Sequence, residues 1–216
     1  MNIMELQLNK NNSIKEIENK ERFISICKNI KRPGIMRFVE FLEKTDFFTA
    51  PASTRYHLAQ RGGLLEHSLN VYDALLQESE FLGKEFFDVS GVDEDSFAIV
   101  ALFHDICKIN KYQESTRNVK NEQTKQWEKI PCYIYRDETF EIGHGAASVI
   151  QLQHFVNLTS KETQAIYWHM GAFDLSQYSN ANGLSKAFES NVLAFALHRA
   201  DMLATYKIEN KKWQTR

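Results

Sequence analysis

Residues that break or cross-link a chain are scarce in this sequence. Three prolines and nine glycines in 216 residues leave no Pro/Gly-rich linker. Internal repeats and low-complexity segments are also missing, and together these absences predict a single domain. The three cysteines, Cys27, Cys107 and Cys132, are widely spaced and form no CxxC pair, so neither a disulfide framework nor a cysteine zinc site is indicated. Cys107, in an apolar run, reads as a small buried hydrophobe. Neither charge sign dominates: 26 Lys and Arg against 28 Asp and Glu give a formal net charge of -2. Long duplex nucleic acid is therefore not an expected partner, whereas a nucleotide or small phosphate ester needs no basic surface. No apolar run approaches the ~20 residues of a membrane span. The opening "MNIMELQLNKNNSIKEIENKERF" is too acidic and too interrupted for a signal peptide. No membrane partner is expected, and the cytoplasm is the default location.

What is present is a helical pattern. Hydrophobic residues make up 43% of the chain, an ordinary share for a globular core. Residues 1–20 are polar and read as an N-terminal extension, followed by one helical domain over 21–216 that begins with a helix near 20–31. In "GIMRFVEFLEKTDFF" (34–48), Ile35, Phe38, Phe41 and Leu42 fall at helical spacing. "APASTRYHLAQRGG" is a loop. Helices are predicted over 64–83, over 93–109 with an acidic start, and over 144–156, 160–170 and 184–209. The polar stretch 110–126 is followed by "WEKIPCYIYRDETFEIG" (127–143), whose aromatic and β-branched runs around Asp137 and Glu138 predict a β-hairpin. The fold class is mainly α, with five or more helices and one small hairpin, which the reading places beside the pocket as a lid.

The chemistry lies in where the imidazoles and carboxylates fall. "ALFHDICKIN" drives an apolar run straight into His104 and Asp105, and burying that pair is costly unless each finds a partner. His67 lies mid-helix in "GGLLEHSL", His144 opens a helix between two glycines, His169 closes one before Gly171, and Asp201 lies inside the apolar "LHRADMLA". Each alone has an ordinary explanation, such as a satisfied core histidine or an Asp201–Arg199 ion pair. Together they need many separate partners, and one metal centre would satisfy them all. Imidazoles mixed with carboxylates suit Mn, Fe, Ni or Co, with Zn also compatible, better than an all-oxygen Mg or Ca site. Adjacent helical residues diverge by ~100°, so His104 and Asp105 can share a metal only near a common edge. An Asp there can bridge two ions ~4 Å apart, an arrangement that clamps a phosphoryl group and creates a hydroxide nucleophile. Lys108, three residues on, is placed to meet a phosphate oxygen. His57 and Arg61, with Arg55 in the same loop, are candidate substrate contacts, against the simpler account of loop exposure. His198 is a candidate to orient a ligand from behind, and His154 is padding.

The ordered set His67, His104-Asp105, Asp201 resembles the H…HD…D signature of the HD-domain superfamily of metal-dependent phosphohydrolases. "HDICK" is similar to its HDxxK form, "GGLLEHSLNV" to its first-histidine helix, and "HRADMLAT" to its final-aspartate helix. The resemblance runs from about residue 35 to 207. It implies an HD-type helical core and a first metal held by His67, His104, Asp105 and Asp201. A second would be held by Asp105, His144 and His169, with Asp105 bridging. The implied catalytic residues are Asp105 and Lys108. The chain departs from two-metal phosphodiesterase relatives at His169-Met170, where several carry His-His, and it lacks the GYP motif of cyclic-di-GMP enzymes. The expected function is a phosphohydrolase or phosphodiesterase acting on a nucleotide, cyclic nucleotide or short oligonucleotide through a metal-bound hydroxide. The same ligand set is also similar to that of di-iron oxygenases of this superfamily. A third expectation is a protein that binds a nucleotide without turning it over.

Overall fold

The computed structural model describes residues 3–136, 142–174 and 181–210. Among the described residues there are nine α-helices and one two-stranded antiparallel sheet: α1 (Ile3–Asn29), α2 (Ile35–Leu42), α3 (Gly63–Leu82), α4 (Lys84–Val89), α5 (Glu94–Phe103), β1 (Tyr112–Lys120), β2 (Trp127–Tyr135), α6 (His144–Gln153), α7 (Ser160–Trp168), α8 (Ala181–Ser190) and α9 (Val192–Leu203). The mainly helical class with a small sheet holds.

The core forms around α3, which packs on α5 and α9, while α7 packs on α9 and α6. Every residue of α5 from Ser96 to Phe103 is buried, which is why its sequence shows no polar face. Its start is fixed by Asp93, whose carboxylate accepts from the Ser96 backbone N–H at 2.8 Å. Its end is pinned by Phe103, packed edge-on against Phe38 (5.2 Å) and Phe23 (5.9 Å). These aromatic contacts hold the residue immediately before His104.

Several helix boundaries differ from the sequence expectation. The first helix starts at Ile3, not near residue 20; ion pairs Lys15–Glu66 (2.7 Å), Arg61–Glu16 (3.3 Å) and Arg22–Asp73 tie this polar stretch to α3 and the loop before it. An apolar stripe was not needed for it to be helical. The run 93–109 is not one helix. It leaves the α conformation at Asp105 (φ -110°, ψ 17°) and tightens into a 3₁₀ turn over Ile106–Lys108. The expected helix 184–209 breaks at Asn191, whose side chain accepts from Leu193 N–H (3.2 Å) and donates to Lys161 O (2.9 Å). Asparagine commonly competes with the helix in this way. Beyond α9 the chain makes a wider π-turn over Ala204–Ile208.

The hairpin is displaced from 127–143. Its first strand is the polar stretch Tyr112–Lys120, paired from Tyr112↔Tyr135 to Lys120↔Trp127, and the connection covers 121–126. Asn121 organises that turn by accepting from Gln123 N–H and Thr124 N–H. Most of β1 is exposed on both faces, so no apolar alternation marks it as a strand. Asp137 and Glu138 lie outside the described residues. Among those residues, no helix is long and apolar enough to cross a membrane.

Candidate metal centre

The break at Asp105 solves the problem of two adjacent helical residues pointing apart. With Asp105 out of the helix, its carboxylate turns back beside His104: Oδ2 lies 3.4 Å from His104 Nε2 and 3.5 Å from His67 Nε2. Oδ1 faces His169 Nε2 at 3.5 Å. Asp201 Oδ1 approaches His67 Nε2 at 3.3 Å. His67, His104, Asp105, His169 and Asp201 are all buried. His144 is half-buried and sits with Asp105 and Cys107 in one group of mutually close donor atoms; the other groups are His67–His104–Asp105, His104–His169–Asp201 and His57–His67–Glu209. The six residues singled out as metal ligands therefore meet around Asp105. Arg199 is not Asp201's partner, since it pairs with Glu78 at 3.2 Å.

Glycine makes two of these approaches possible. A Cβ on Gly145 would sit 2.1 Å from Tyr167 O, so α6 could not lie against α7 with any larger residue beside His144. A Cβ on Gly171 would meet the His198 ring at 2.6 Å, and His198 Nδ1 donates to His169 O (2.6 Å). His198 thus braces the backbone of His169. The His154 ring bonds its own helix, at Ile150 O (2.7 Å), and its backbone O accepts from Arg37 (3.4 Å).

Hydrogen bonds behind the rings decide which nitrogen faces the centre. His104 Nδ1 donates to Ala101 O (2.8 Å) and His169 Nδ1 donates to Ile166 O (2.7 Å). A carbonyl can only accept, so the Nε2 of each neutral ring presents a lone pair inward. His67 Nδ1 meets Glu209 Oε1 at 2.9 Å, which orients it the same way. With all three rings neutral, the inward atoms are acceptors facing acceptors. His104 Nε2 lies 3.2 Å from His67 Nε2, and His169 Nε2 faces Asp105 Oδ1 with no hydrogen bond for either. Buried acceptors converge like this at a cost unless a proton or metal ion lies between them. The donor set fits a transition-metal site.

The electrostatics favour a cation in the same place. Burial alone would lower the His67 imidazole, yet Glu209, Asp105 and Asp201 raise it well above its ordinary value. Burial would raise the Asp105 carboxyl, but Lys108 and His104 hold it well below the usual carboxylate range. Asp201 is likewise depressed by His67 against the effect of burial. Burial dominates at His104 and His144, lowering both.

Lys108 is buried, with Nζ 2.5 Å from Asp105 Oδ2. Above this cluster opens a cavity of about 990 Å³, lined by His67, Asp105, Lys108 and Asp201 at its floor and by residues 55–60, Met170, Phe173 and 205–206 higher up. His57 is on its wall, its ring 4.9 Å from that of His67; burial and His67 push its imidazole down to about 4. Arg61 is not on the wall but largely exposed and paired with Glu16. No residue of β1 or β2 is among the described lining residues, so the lid placement does not hold for the strands.

No family model matches the chain, and no solved structure does. One curated relative does match. A dihydroneopterin 2',3'-cyclic phosphate phosphodiesterase of Methanocaldococcus jannaschii is 35% identical over 101 residues. That relative is a phosphodiesterase. The matched segment spans 46% of this chain and 38% of the relative.

Glu209 is the functional neighbour that the sequence reading missed. It is buried, accepts from Asn70 Nδ2 (2.9 Å) as well as pairing with His67, and takes its position from the π-turn, closed by Glu209 N–H to Ala204 O (2.9 Å). No spacing rule reaches it: an irregular turn of this kind re-aims side chains and is frequent at functional sites. Cys107, expected to be inert packing, does stand beside Asp105 and His144, but burial pushes its thiol up to about 12, away from the thiolate that binds metal.

Proposed function

We propose that the chain is a metal-dependent phosphohydrolase of the HD-domain kind, acting on a nucleotide, cyclic nucleotide or short phosphodiester. The observation that carries this reading is the inward convergence of the His67, His104 and His169 Nε2 atoms on the Asp105 carboxylate. In this reading His67, His104, Asp105 and Asp201 hold one ion. Asp105, His144 and His169 hold a second. Ions held there would supply Lewis acidity at the phosphoryl oxygens and would lower the pKa of a water.

The chain's own groups do the rest. Glu209, Ala101 O and Ile166 O hold the Nδ1 side of the three imidazoles, so each ring already turns its Nε2 to the centre before any ligand arrives. Lys108 holds Asp105 and brings a positive charge to the cavity floor, where it meets a phosphate oxygen and steadies the negative charge developing on the phosphoryl oxygens. His57, neutral at physiological pH, serves as a hydrogen-bonding wall and not as a second cation. No side chain needs to act as a covalent nucleophile.

The relative's activity on a 2',3'-cyclic phosphate supports hydrolysis over the oxygenase alternative and suggests a cyclic phosphodiester as the first substrate to try. The test is hydrolysis of guanosine 2',3'-cyclic phosphate with Mn²⁺, Fe²⁺ or Co²⁺, run without oxygen. Turnover that depends on added metal and is lost in Asp105→Ala is the expected result. Equal turnover in Asp105→Ala, or iron-dependent oxygen consumption in a parallel aerobic run with no anaerobic hydrolysis, would overturn the reading.

A further inference from the structure

Three large aromatic side chains line the cavity and remain exposed, each from a different element. Tyr56 comes from the loop before α3, Phe173 from the 3₁₀ turn after α7, and Tyr206 from the π-turn after α9. They remain 77%, 67% and 47% exposed, respectively. Single exposed aromatics are ordinary on a protein surface, but several gathered at one concavity mark a place where something binds. Here the concavity already has a charged floor of His67, Asp105, Lys108 and Asp201.

The chemistry of the rim narrows what fits. An aliphatic chain would favour a dry apolar tunnel, whereas these rings are wetted. Their π-faces suit a flat ring whose edges keep their contact with water. Arg55 adds a planar cation: its guanidinium lies 5.3 Å from the Tyr56 ring centre, and Nη2 donates to the Tyr56 hydroxyl at 3.3 Å. This holds the Tyr56 ring at the rim and gives that side of the mouth a positive charge. Met202, also on the wall, supplies a flexible thioether that adapts to a ring's outline. At about 990 Å³ the cavity is of the size that encloses one small ligand.

We infer that Tyr56, Phe173 and Tyr206 form a stacking subsite for a heteroaromatic ring, so that the substrate is a phosphodiester carrying a flat base at one end and its phosphorus at the metal floor. This rests on the hydrolase reading for the phosphate end only; the ring subsite stands on the rim itself.

The experiment measures binding and turnover separately. Binding is measured by calorimetry with two slowly hydrolysed probes, guanosine 2',3'-cyclic phosphorothioate and the base-free methyl riboside 2',3'-cyclic phosphorothioate. Turnover is measured on guanosine 2',3'-cyclic phosphate. The wild type is expected to bind the guanosine probe more tightly than the base-free one, and Phe173→Ala and Tyr56→Ala are each expected to weaken the guanosine probe about tenfold. The base-free probe should change less than about twofold, the scale expected where no stacked ring is lost. Both residues are exposed, so the variants should melt with the wild type. Base-selective binding without hydrolysis would support the subsite and remove the hydrolase reading. Metal-dependent hydrolysis with no preference for the guanosine probe, or equal weakening of both probes, would overturn the subsite and leave the hydrolase reading standing.

Discussion

Glu209→Ala is the most informative single change at this centre, because the residue touches no metal in the proposed scheme yet sets one of its ligands. Its Oε1 is 2.9 Å from His67 Nδ1 and 2.9 Å from Asn70 Nδ2, in surroundings where the His67 and Glu209 side chains are each 1% exposed. Truncation removes the acceptor that keeps the His67 Nδ1 proton in place, and with it the fixed direction of Nε2. Loss of such an outer partner lowers metal affinity by roughly 10–100-fold, about 1.4–2.7 kcal/mol. The buried donors left behind add a folding cost of about 1.5–3 kcal/mol. Glu209→Gln keeps an oxygen that accepts from Nδ1 but loses the charge, so it should fall between the two. The assay is competition for Mn²⁺ or Co²⁺ against a chromophoric chelator, alongside urea unfolding of each variant. If Glu209→Ala holds metal within twofold of the wild type, the carboxylate is not what orients His67 and the scheme of inward lone pairs loses its support at this ring.

Other consequences follow from the same geometry. Glu162 is fully buried, ion-paired with Arg32 at 2.9 Å, bonded by Ser96 Oγ at 2.7 Å, and reciprocally capped with Thr159; Glu162→Ala should cost about 3–5 kcal/mol in urea unfolding, and a loss below ~1 kcal/mol, the scale of an exposed pair, would contradict that arrangement. Cys27 and Cys107 are buried, with thiols pushed up to about 12, whereas Cys132 is half-exposed. A thiol reagent at pH 8 should therefore modify one cysteine per native chain, and rapid modification of two or three would be inconsistent. For His57, a folded value of about 4 lies below the ordinary 6.5, so the unfolded chain binds more protons in between. Its contribution is complete above pH 6.5 and is lost as pH falls towards 4. His57→Gln should thus remove roughly 1–2 kcal/mol of the stability difference between pH 7 and pH 5, and an unchanged acid slope would disprove the burial of a neutral ring.

What the sequence made legible was whatever repeats with the period of a helix. Ile35, Phe38 and Leu42 are buried on one face of α2 as their spacing predicts, although the fourth place falls to Val39 and Phe41 is exposed, and the acidic start and apolar body of α5 marked a helix. The gathering of His67, His104, Asp105, His144, His169 and Asp201 was also legible, because ionisable groups set into apolar helices must find one another. The exceptions share a cause. Asp105 leaves its helix, Asn191 splits another, and Glu209 is aimed by a π-turn; each is a local departure from periodicity, which a periodic reading smooths over. β1 was missed because an exposed ribbon needs no apolar alternation. The long α1 was missed because ion pairs between residues far apart in sequence, such as Lys15–Glu66, leave no mark on local spacing.

The central claim is that these buried imidazoles and carboxylates form a metal centre joined at Asp105. Its most direct test is element-resolved metal content per chain, for the wild type and Asp105→Ala after identical loading with Mn²⁺ or Fe²⁺. About two transition-metal ions per wild-type chain and a collapse of that content in the variant are expected. A wild type that takes up no metal, or a variant that keeps all of it, would contradict the account.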